Sequence, residues 1–444
     1  MWLVKLNYEA QIEWQKCLGG FSQDFGNSVE QTSDGGYILA GSTNSNEGDV
    51  SGNHGQVDFW VVKLYENGTI QWQKCLGGTS TEIAWSCKQT NDGGYIVGGD
   101  TYSNDGDVSG NHGDADCWIV KLDQNGQIQW SKTIGGIAIE SLSEIQICAD
   151  GGFIIAASSN SNDGDVSENN GESDAWIFKL SNSGVLLWEQ SYGGSGSEYA
   201  ASIDILNDGG FILAAGTASN DGDVNGNNGQ TDNWILKLDA TGTEIWKTCI
   251  GGSLNDIPRS IIQSQDGGFV FAGVTNSLDG AIDTAYGEDD WFVAKLNAAG
   301  SIEWTQCFGG SELEYTRAIF QTSDNGLAIA GYTLSLDGNI PQNQGYIDAW
   351  IIKLANIMKN TPVESATSLH MYPNPASEFI TVRGLSEATP NKSFALYNQV
   401  GQLIAKGIIQ QPETILCVDA LPAGMYLLSI DNNHDAQRLR FIKQ

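Results

Sequence analysis

One feature constrains the fold of this sequence more than any other: a tryptophan at the head of a hydrophobic segment returns about every 58 residues. The residues between two copies are repeated along with the tryptophan, so the unit is a structural repeat rather than an isolated motif. A fixed period of this size is typical of propellers, solenoids and other arrays. The seven copies are Trp2, Trp60, Trp118, Trp176, Trp234, Trp291 and Trp350.

Each repeat contains four short segments with β-type patterning. Apolar and polar residues alternate over residues 82–90, and an Asn-Asp-Gly-Gly turn joins this segment to residues 94–101. A long polar loop follows, and residues 117–122 and 127–136 then form a second pair of segments around another tight turn. Four short antiparallel strands per repeat predict a propeller blade, whereas no window shows the sustained 3.6-residue period of a helical solenoid.

The second half of each repeat, for example Lys237 to Trp246, resembles the tryptophan-docking segment of quinoprotein-type propellers. The Asp-Gly-Gly-aromatic-Ile portion is similar to repeats of secreted bacterial propellers. A tryptophan on the fourth strand can wedge between adjacent blades and bury a large area, so we expect a packing role rather than ligand stacking. These tryptophans are Trp14, Trp72, Trp130, Trp188, Trp246 and Trp304. Neither resemblance implies an activity.

The number of blades depends on how the two ends of the repeat region meet. First and second strands occur six times, which favours a six-bladed ring whose last blade takes its fourth strand from residues 12–18. This exchange would cover an exposed sheet edge. It leaves residues 2–6 and 350–354 competing for one third-strand position, so a seven-bladed ring is the alternative. A chain that starts within a blade, with no export signal before it, is expected to be a fragment or to carry a misassigned start.

The net charge of −33 lies upstream of residue 370, because the remaining tail holds as many bases as acids. Such a surface repels nucleic acid and anionic lipid and favours a cationic ligand or a basic partner. No apolar run is long enough to span a membrane. We therefore expect a secreted or surface-exposed protein without a nucleic-acid partner.

The repeat ends at residue 354, residues 355–369 form a predicted linker, and residues 370–444 have the strand and turn pattern of a small β-sandwich. This tail resembles the type A C-terminal sorting domain of the type IX secretion system of Bacteroidota. The resemblance implies export by the type IX machinery, removal of the tail, and release from or attachment to the outer-membrane surface. The residues that carry it are Tyr372, Pro373, Asn374, Pro375, Gly401, Gly424, Tyr426 and Lys443.

An acidic residue follows the Gly-Gly pair at the start of each first strand. The six acids are Asp24, Glu82, Glu140, Glu198, Asp256 and Glu314. They are predicted on the face of the propeller that carries the longer loops, where ligand sites usually lie. One hypothesis is a ring of carboxylates that binds a cation or another ligand. The alternative is that each acid accepts hydrogen bonds from loop amides and stabilises its own blade.

The loop between the second and third strands repeats Ser-Asn-[Asp/Glu]-Gly-Asp-Val and offers oxygen ligands for Ca²⁺. The candidate ligands are Asp49, Asp105, Asp107, Asp163, Asp165, Asp221 and Asp223. The spacing does not match an EF-hand loop, so Asx-turns in a solvated loop are the alternative interpretation. No other cofactor is predicted.

The near-identity of the blades favours a non-catalytic propeller that binds a glycan, a cation or a protein. Catalysis requires one blade to differ, and no nucleophile, zinc-protease or phosphate-binding motif occurs. The alternative is a secreted carbohydrate-active enzyme, a glycosidase or lyase, with its site on the acidic loop face. Its residues are expected in the divergent fifth and sixth blades, around Asp279, Asp283, Tyr286, Asp289 and Asp290.

Overall fold

The computed structural model describes residues 1–282, 285–340, 343, 345–355, 370–372, 376–383, 392–398, 402–409, 413–431 and 436–443. The chain divides into two compact units, Met1–Ile357 and Met358–Gln444. Every regular element in the described residues is a β-strand. The predicted linker lies outside the described residues except for Ala355.

Most of the first unit is a row of blade-like antiparallel sheets. The described residues form five complete four-stranded sheets (blades 1 to 5), a three-stranded sheet (blade 6) and a separate N-terminal hairpin. The hairpin is β1 (Trp2–Leu6) and β2 (Ile12–Cys17). Blade 1 is β3 (Asp24–Gln31), β4 (Tyr37–Thr43), β5 (Asp58–Leu64) and β6 (Ile70–Leu76); blade 2 is β7 (Glu82–Gln89), β8 (Tyr95–Thr101), β9 (Asp116–Leu122) and β10 (Ile128–Ile134); blade 3 is β11 (Glu140–Ile147), β12 (Phe153–Ser159), β13 (Asp174–Leu180) and β14 (Leu186–Tyr192). Blade 4 is β15 (Glu198–Ile205), β16 (Phe211–Thr217), β17 (Asp232–Leu238) and β18 (Glu244–Ile250); blade 5 is β19 (Asp256–Gln263), β20 (Phe269–Thr275), β21 (Asp290–Leu296) and β22 (Ile302–Phe308); blade 6 is β23 (Glu314–Gln321), β24 (Leu327–Thr333) and β25 (Asp348–Leu354).

Burial across a blade follows the sequence pattern. All residues of β9 are buried, whereas the residues of the outer strand β10 are exposed or partly buried except for Ile134. The third-strand lysine pairs with the aspartate of the first hairpin turn, as in the 2.9 Å contact between Lys121 Nζ and Asp92 Oδ2. The third-strand lysines therefore stabilise the blades. The corresponding pairs are Lys63–Asp34, Lys179–Asp150, Lys237–Asp208, Lys295–Asp266 and Lys353–Asp324.

The fourth-strand tryptophans pack between blades, as the sequence predicts. The Trp130 indole donates a hydrogen bond to the Asn182 carbonyl in the next blade (3.2 Å), and its ring centroid lies 6.0 Å from that of Phe153. A Cβ on Gly184, whose φ is +77°, would come within 2.9 Å of the same indole. The turn glycine is therefore required both by its backbone conformation and by the close approach of the tryptophan.

Each first strand contains a β-bulge, where the register to the second strand shifts by one residue. The residue after the bulge bonds to the next first strand: Ser86 Oγ accepts from the Ile145 amide (3.2 Å), and Ser202 Oγ accepts from the Ile261 amide (3.1 Å). First strands of consecutive blades are therefore neighbours, and they line the inner side of the row of blades.

The N-terminal hairpin differs from the predicted strand exchange. Residues 12–17 pair with β1, Trp2 opposite Cys17, and the described ladder of β25 runs only to β24. A tight turn closed by the Asn7 amide and the Gln11 carbonyl (2.8 Å) explains this local pairing, because a short loop costs little entropy to close. Trp14 packs against Tyr37 of blade 1 at 5.7 Å, as a fourth-strand tryptophan would. The propeller-type fold is confirmed, and the number of blades stays a prediction.

The second unit contains two antiparallel sheets in its described residues, with strand orders β26-β27-β30 and β29-β28-β31-β32. Their strands are β26 (His370–Tyr372), β27 (Phe379–Arg383), β28 (Lys392–Asn398), β29 (Leu403–Ile409), β30 (Glu413–Cys417), β31 (Gly424–Asp431) and β32 (Ala436–Lys443). Ile380 and Val382 of one sheet share a core with Leu396 and Leu428 of the other, which makes the unit a small β-sandwich. In the described part of the chain, no helix is long and apolar enough to cross a membrane.

Candidate functional site

The first-strand acids are tied into the connections between blades. Glu198 is fully buried at the start of β15. Its Oε2 accepts a hydrogen bond from the Gly194 amide (2.8 Å), and its Oε1 accepts bonds from Thr217 Oγ1 (2.7 Å) and the Ser219 amide (3.1 Å). A single carboxylate thus joins the incoming Gly-Gly connection to the second strand of the same blade.

The other five predicted ring acids make the same pair of contacts. Each accepts one hydrogen bond from a glycine amide and one from a Thr or Ser hydroxyl. The acid and glycine pairs are Asp24–Gly20, Glu82–Gly78, Glu140–Gly136, Asp256–Gly252 and Glu314–Gly310. All except Asp24 are buried, and among the described residues no hydrogen bond joins one of the six to another. This geometry supports the structural alternative, while ligand binding by these carboxylates stays a prediction.

A second buried carboxylate lies beside each of these connections. Asp174, at the start of β13, accepts from the Asn170 amide through Oδ2 (2.9 Å), but its buried Oδ1 has no hydrogen-bond partner among the described residues. Burial raises the pKa of Asp174 to about 6, and the neighbouring carboxylates Glu198 and Asp223 add to this rise. The same unpartnered oxygen recurs in Asp58, Asp116, Asp232 and Asp290.

Of these third-strand aspartates, only Asp290 was predicted from sequence to belong to a site. The signal was present, because an aspartate begins the third strand of each of the six blades. Its importance depends on how close this aspartate lies to the first-strand acid, and sequence does not give that distance. A Cβ on Gly193 would overlap the Asp174 carboxylate and lie 2.8 Å from Glu198 Oε2, so two carboxylates converge on one glycine.

The predicted calcium ligands hydrogen-bond the loop between the second and third strands to the connection that enters the same blade. Asp105 accepts from the Thr79 amide and hydroxyl, both at 2.8 Å, and these bonds lower its pKa. Asp107 accepts from the Gly77 amide at 3.3 Å. Asp49, Asp163, Asp165, Asp221 and Asp223 accept from the amides of Gly19, Ile137, Gly135, Ser195 and Gly193.

Asparagines of the same loops add Asx-type bonds, such as that from the Gly110 amide to Asn104 Oδ1 at 2.9 Å. Within the described residues, no three His, Cys, Asp or Glu side chains are grouped so that they could hold a metal ion. Calcium binding at these loops stays a prediction, while the contacts support the Asx-turn alternative.

The divergent fifth blade keeps the same loop hydrogen bonds. Asp279 accepts from the Ser253 amide at 2.7 Å, as Asp221 does in blade 4, and Asp290 accepts from the Tyr286 amide. Burial raises the pKa of Asp289 and of Asp290. Asp283 lies outside the described residues. The residues expected for an enzyme site therefore belong largely to the repeated scaffold.

The inner strands reveal a different kind of position. The bulge residue has no ladder partner, and five different residue types occupy the position in the six blades. In blades 1 to 6 it is Asn27, Trp85, Ser143, Ala201, Arg259 and Arg317. The two arginines lie on neighbouring first strands with Tyr199, Tyr315 and Tyr332 close by. The sequence offers no clear signal for this position, because the flanking residues of the first strands also vary and the bulge is not visible in sequence.

The sorting-signal residues are only partly within the described structure. Gly424 begins β31, the buried Tyr426 donates a hydrogen bond to the Pro422 carbonyl (2.9 Å), and Lys443 pairs with Gly424 at the end of β32. Tyr372 lies in β26 opposite Thr381. Pro373, Asn374, Pro375 and Gly401 lie outside the described residues.

Solved structures resemble the chain only distantly. PorZ, a surface component of the type IX secretion system of Porphyromonas gingivalis, is 13% identical with a TM-score of 0.33, and the match covers 96% of this chain and 60% of that chain. An apocarotenoid oxygenase mutant from Synechocystis is 12% identical (TM-score 0.40; 96% and 94% covered), and a neuraminidase-like protein of a bat influenza virus is 14% identical (TM-score 0.39; 76% and 90% covered). These values are too low to transfer an activity.

The tail gives a specific match where the repeat region does not. No curated protein matches the chain in sequence. Residues 370–444 match the family of secretion system C-terminal sorting domains. The order of the matching segments and the β-sandwich of the second unit agree with the resemblance expected from sequence. The chain is thus a propeller-type repeat protein whose residues 370–444 form a type IX secretion system C-terminal sorting domain.

Proposed function

We propose that this protein is a non-catalytic binding module, which the type IX system delivers to the cell surface or the medium and which uses its propeller to hold a ligand. The sorting domain indicates the export route. Binding and the absence of catalysis are the part that we infer.

The observation that supports a non-catalytic role is that the scaffold engages the third-strand lysines, the first-strand acids and the loop aspartates. In blade 4, Lys237 pairs with Asp208, and Glu198 accepts three hydrogen bonds. Asp221 accepts a hydrogen bond from the Ser195 amide of the connection that enters this blade. The same contacts recur in the other described blades. A general acid or base must be free to exchange a proton with a bound substrate. Groups that are committed to the scaffold in every blade are poor candidates for that work, whereas a rigid scaffold suits binding.

Export by the tail can be tested by deleting residues 358–444 from a chain that carries an export signal in a type IX-competent host. We expect the full chain to reach the surface or medium and the truncated chain to be retained in the periplasm. Limited proteolysis of the retained protein checks that its blades remain folded. Surface delivery of the truncated chain at the level of the full chain would contradict the assignment of the export signal to the tail.

Binding without turnover can be tested with the purified full chain and a panel of neutral and acidic oligosaccharides. We expect at least one sugar to be retained and to be recovered unmodified, as judged by mass spectrometry after prolonged incubation. Time-dependent cleavage or elimination products would overturn the non-catalytic role and would favour the carbohydrate-active enzyme.

A further inference from the structure

We propose that the inner strands of blades 4 to 6 form a binding site for an acidic saccharide, with Arg259 and Arg317 holding its carboxylate and the tyrosine cluster contacting its ring. This inference rests on the proposed binding function and adds the place and the chemical class of the ligand. Neither the acid ring nor the acidic loops are part of this site.

The site is built around one tyrosine. The Arg259 guanidinium donates a hydrogen bond to the Tyr315 hydroxyl, and its central carbon lies 4.5 Å from the centroid of the Tyr315 ring. The Arg317 guanidinium lies 5.4 Å from the same centroid. The two arginines are the bulge residues of β19 and β23, so both project from the ladder at the same level of adjacent strands.

Two further tyrosines extend the aromatic surface. Tyr332 is the cross-strand partner of Tyr315, and the two rings stack with centroids 5.5 Å apart and planes 9° apart. Tyr199 lies in β15 opposite Gly216, and a Cβ on that glycine would collide with the Tyr199 ring. The missing side chain at position 216 therefore leaves room for the tyrosine to lie across the second strand.

The charges of this cluster have no protein counterpart. Among the described residues, neither Arg259 nor Arg317 forms a salt bridge, although the chain has 54 acidic residues against 21 basic ones. The Arg259 Nε and the Tyr199 hydroxyl are buried without a hydrogen-bond partner in the same set. Burial lowers the pKa of Arg259, and the Arg317 charge adds to that lowering. A partly buried cation without a counter-ion is costly, so an incoming anion would be stabilised.

The other blades show that this arrangement is specific. The bulge residue of blade 1, Asn27, donates to the Ala84 carbonyl (2.8 Å), and Ser143 of blade 3 donates to the Ala200 carbonyl (2.6 Å). Trp85 of blade 2 donates to Asp100 (2.7 Å). These bulge residues are satisfied by the scaffold, whereas the two arginines keep charged donors available.

The chemistry of the cluster selects the ligand class. Guanidinium groups bind carboxylates with two parallel hydrogen bonds, and two neighbouring guanidinium groups favour an oxyanion strongly over a neutral group. Stacked tyrosines offer a flat apolar face with hydroxyl groups at its edge, which suits a sugar ring. Arg317 is exposed, so a ligand can reach the site from solvent. The repulsion from the acidic remainder of the chain is screened beyond about 8 Å at physiological salt.

The inference can be tested by calorimetric titration of the full chain with trigalacturonate and triglucuronate. The matched neutral probes are the same trisaccharides with each carboxyl group reduced to an alcohol. We expect at least one acidic trisaccharide to bind and its reduced form to bind at least tenfold more weakly. Acetate and sulfate test whether a free oxyanion alone suffices, and a short poly-glutamate peptide tests an acidic protein ligand.

Variants assign the binding to the cluster. Arg317→Ala should weaken binding of the acidic trisaccharide at least tenfold, and Arg317→Lys should weaken it less, because the charge remains while the two-pronged geometry is lost. Lys132→Ala removes the same charge from the exposed outer strand β10 and should leave the affinity unchanged. Unchanged melting temperatures show that the variants fold.

The outcomes separate this inference from the proposed function. Binding of neutral sugars only, or acidic binding that Arg317→Ala leaves within twofold, would overturn the site while binding without turnover still stands. Conversion of the acidic sugar to a product would overturn the non-catalytic role, and dependence of that conversion on Arg317 would retain the site. Binding by none of the probes, or tighter Arg317-dependent binding of the peptide or of a free oxyanion, would overturn the assignment to an acidic saccharide.

Discussion

The first and fourth residues of each first strand lie only about 10 Å apart along the chain. The first is repeated in every blade, whereas the fourth is not. The first residue is an acid in all six described blades, and each copy accepts hydrogen bonds from a glycine amide and a hydroxyl. The fourth residue lies in a bulge and is not repeated in this way: it differs among blades 1 to 4 and is arginine in blades 5 and 6. Repeated side chains thus maintain the blades, whereas the bulge position of blades 5 and 6 carries the arginines that we propose to bind a ligand.

This contrast predicts that stability and binding depend on different residues. Substitutions at repeated positions should change the free energy of unfolding, because each copy bonds two structural elements together. Substitution of Arg317, the exposed bulge residue of blade 6, should change binding at nearly constant stability.

The largest effect is expected at the wedge between blades. Trp130→Ala should lower the free energy of unfolding by about 3–5 kcal/mol, because it removes a large side chain packed against Phe153 and the Gly184 turn. Chemical denaturation followed by tryptophan fluorescence measures the change. Arg317→Ala is the control, since substitution of an exposed residue is expected to change stability by less than about 0.5 kcal/mol. Equal effects of the two variants would contradict the separation.

A smaller effect is expected where two carboxylates meet one glycine. Gly193→Ala should destabilise the protein by about 1–3 kcal/mol, because the new methyl group would overlap Asp174 and crowd Glu198. The cost should shrink when Asp174→Ala removes one carboxylate, which a double-mutant cycle of unfolding free energies measures. If the cost of Gly193→Ala is the same in both backgrounds, the crowding at this glycine does not involve Asp174.

Local chemistry explains which parts of this structure could be predicted from sequence. The alternation of apolar residues, the Gly turns and the tryptophan period define the blades, and the aspartate of each turn recurs with its lysine partner. Residues 12–17 pair with β1 and not with the last blade, contrary to the favoured six-bladed exchange, because ring closure is a competition between distant segments, and here the local hairpin prevails. The bulge was also hidden, since one extra residue in a strand leaves the surrounding pattern intact.

Some residues of the candidate sites could likewise be predicted from sequence, and others could not. The first-strand acids and loop acids were found from sequence because they are repeated, and repetition is also the reason that they bond to the scaffold. Arg259 and Arg317 were overlooked because they differ from their counterparts, Ala201 and Ser143 among them. In the sorting domain the order of short segments was sufficient for recognition, because that family is identified by local sequence blocks.

The smallest predicted effect concerns the paired carboxylates and depends on pH. Asp174 has a pKa of about 6 in the folded chain, above the value of about 3.9 expected for an unfolded aspartate. Between these values the folded state binds more protons, so its stability falls as the pH rises from about 4 to about 7. Asp174→Asn removes the charge, keeps an acceptor for the Asn170 amide, and places a donor where Oδ1 has no partner. We therefore expect a gain of about 1–2 kcal/mol in unfolding free energy at pH 7.5 that becomes small at pH 4.5.

Asp221→Asn is the matched control, because hydrogen bonds that Asp221 accepts from the Ser195 amide and side chain lower its pKa. Its charged form is stabilised by folding, so this variant should lose stability at pH 7.5 and lose less at low pH. Urea unfolding of both variants at the two pH values provides the comparison. If Asp174→Asn instead lowers the unfolding free energy at pH 7.5, and does so more strongly with added Ca²⁺, a cation and not a proton neutralises the neighbouring carboxylates of Asp174 and Glu198. The unpartnered aspartate oxygens would then be ligands rather than a cost of the repeated scaffold.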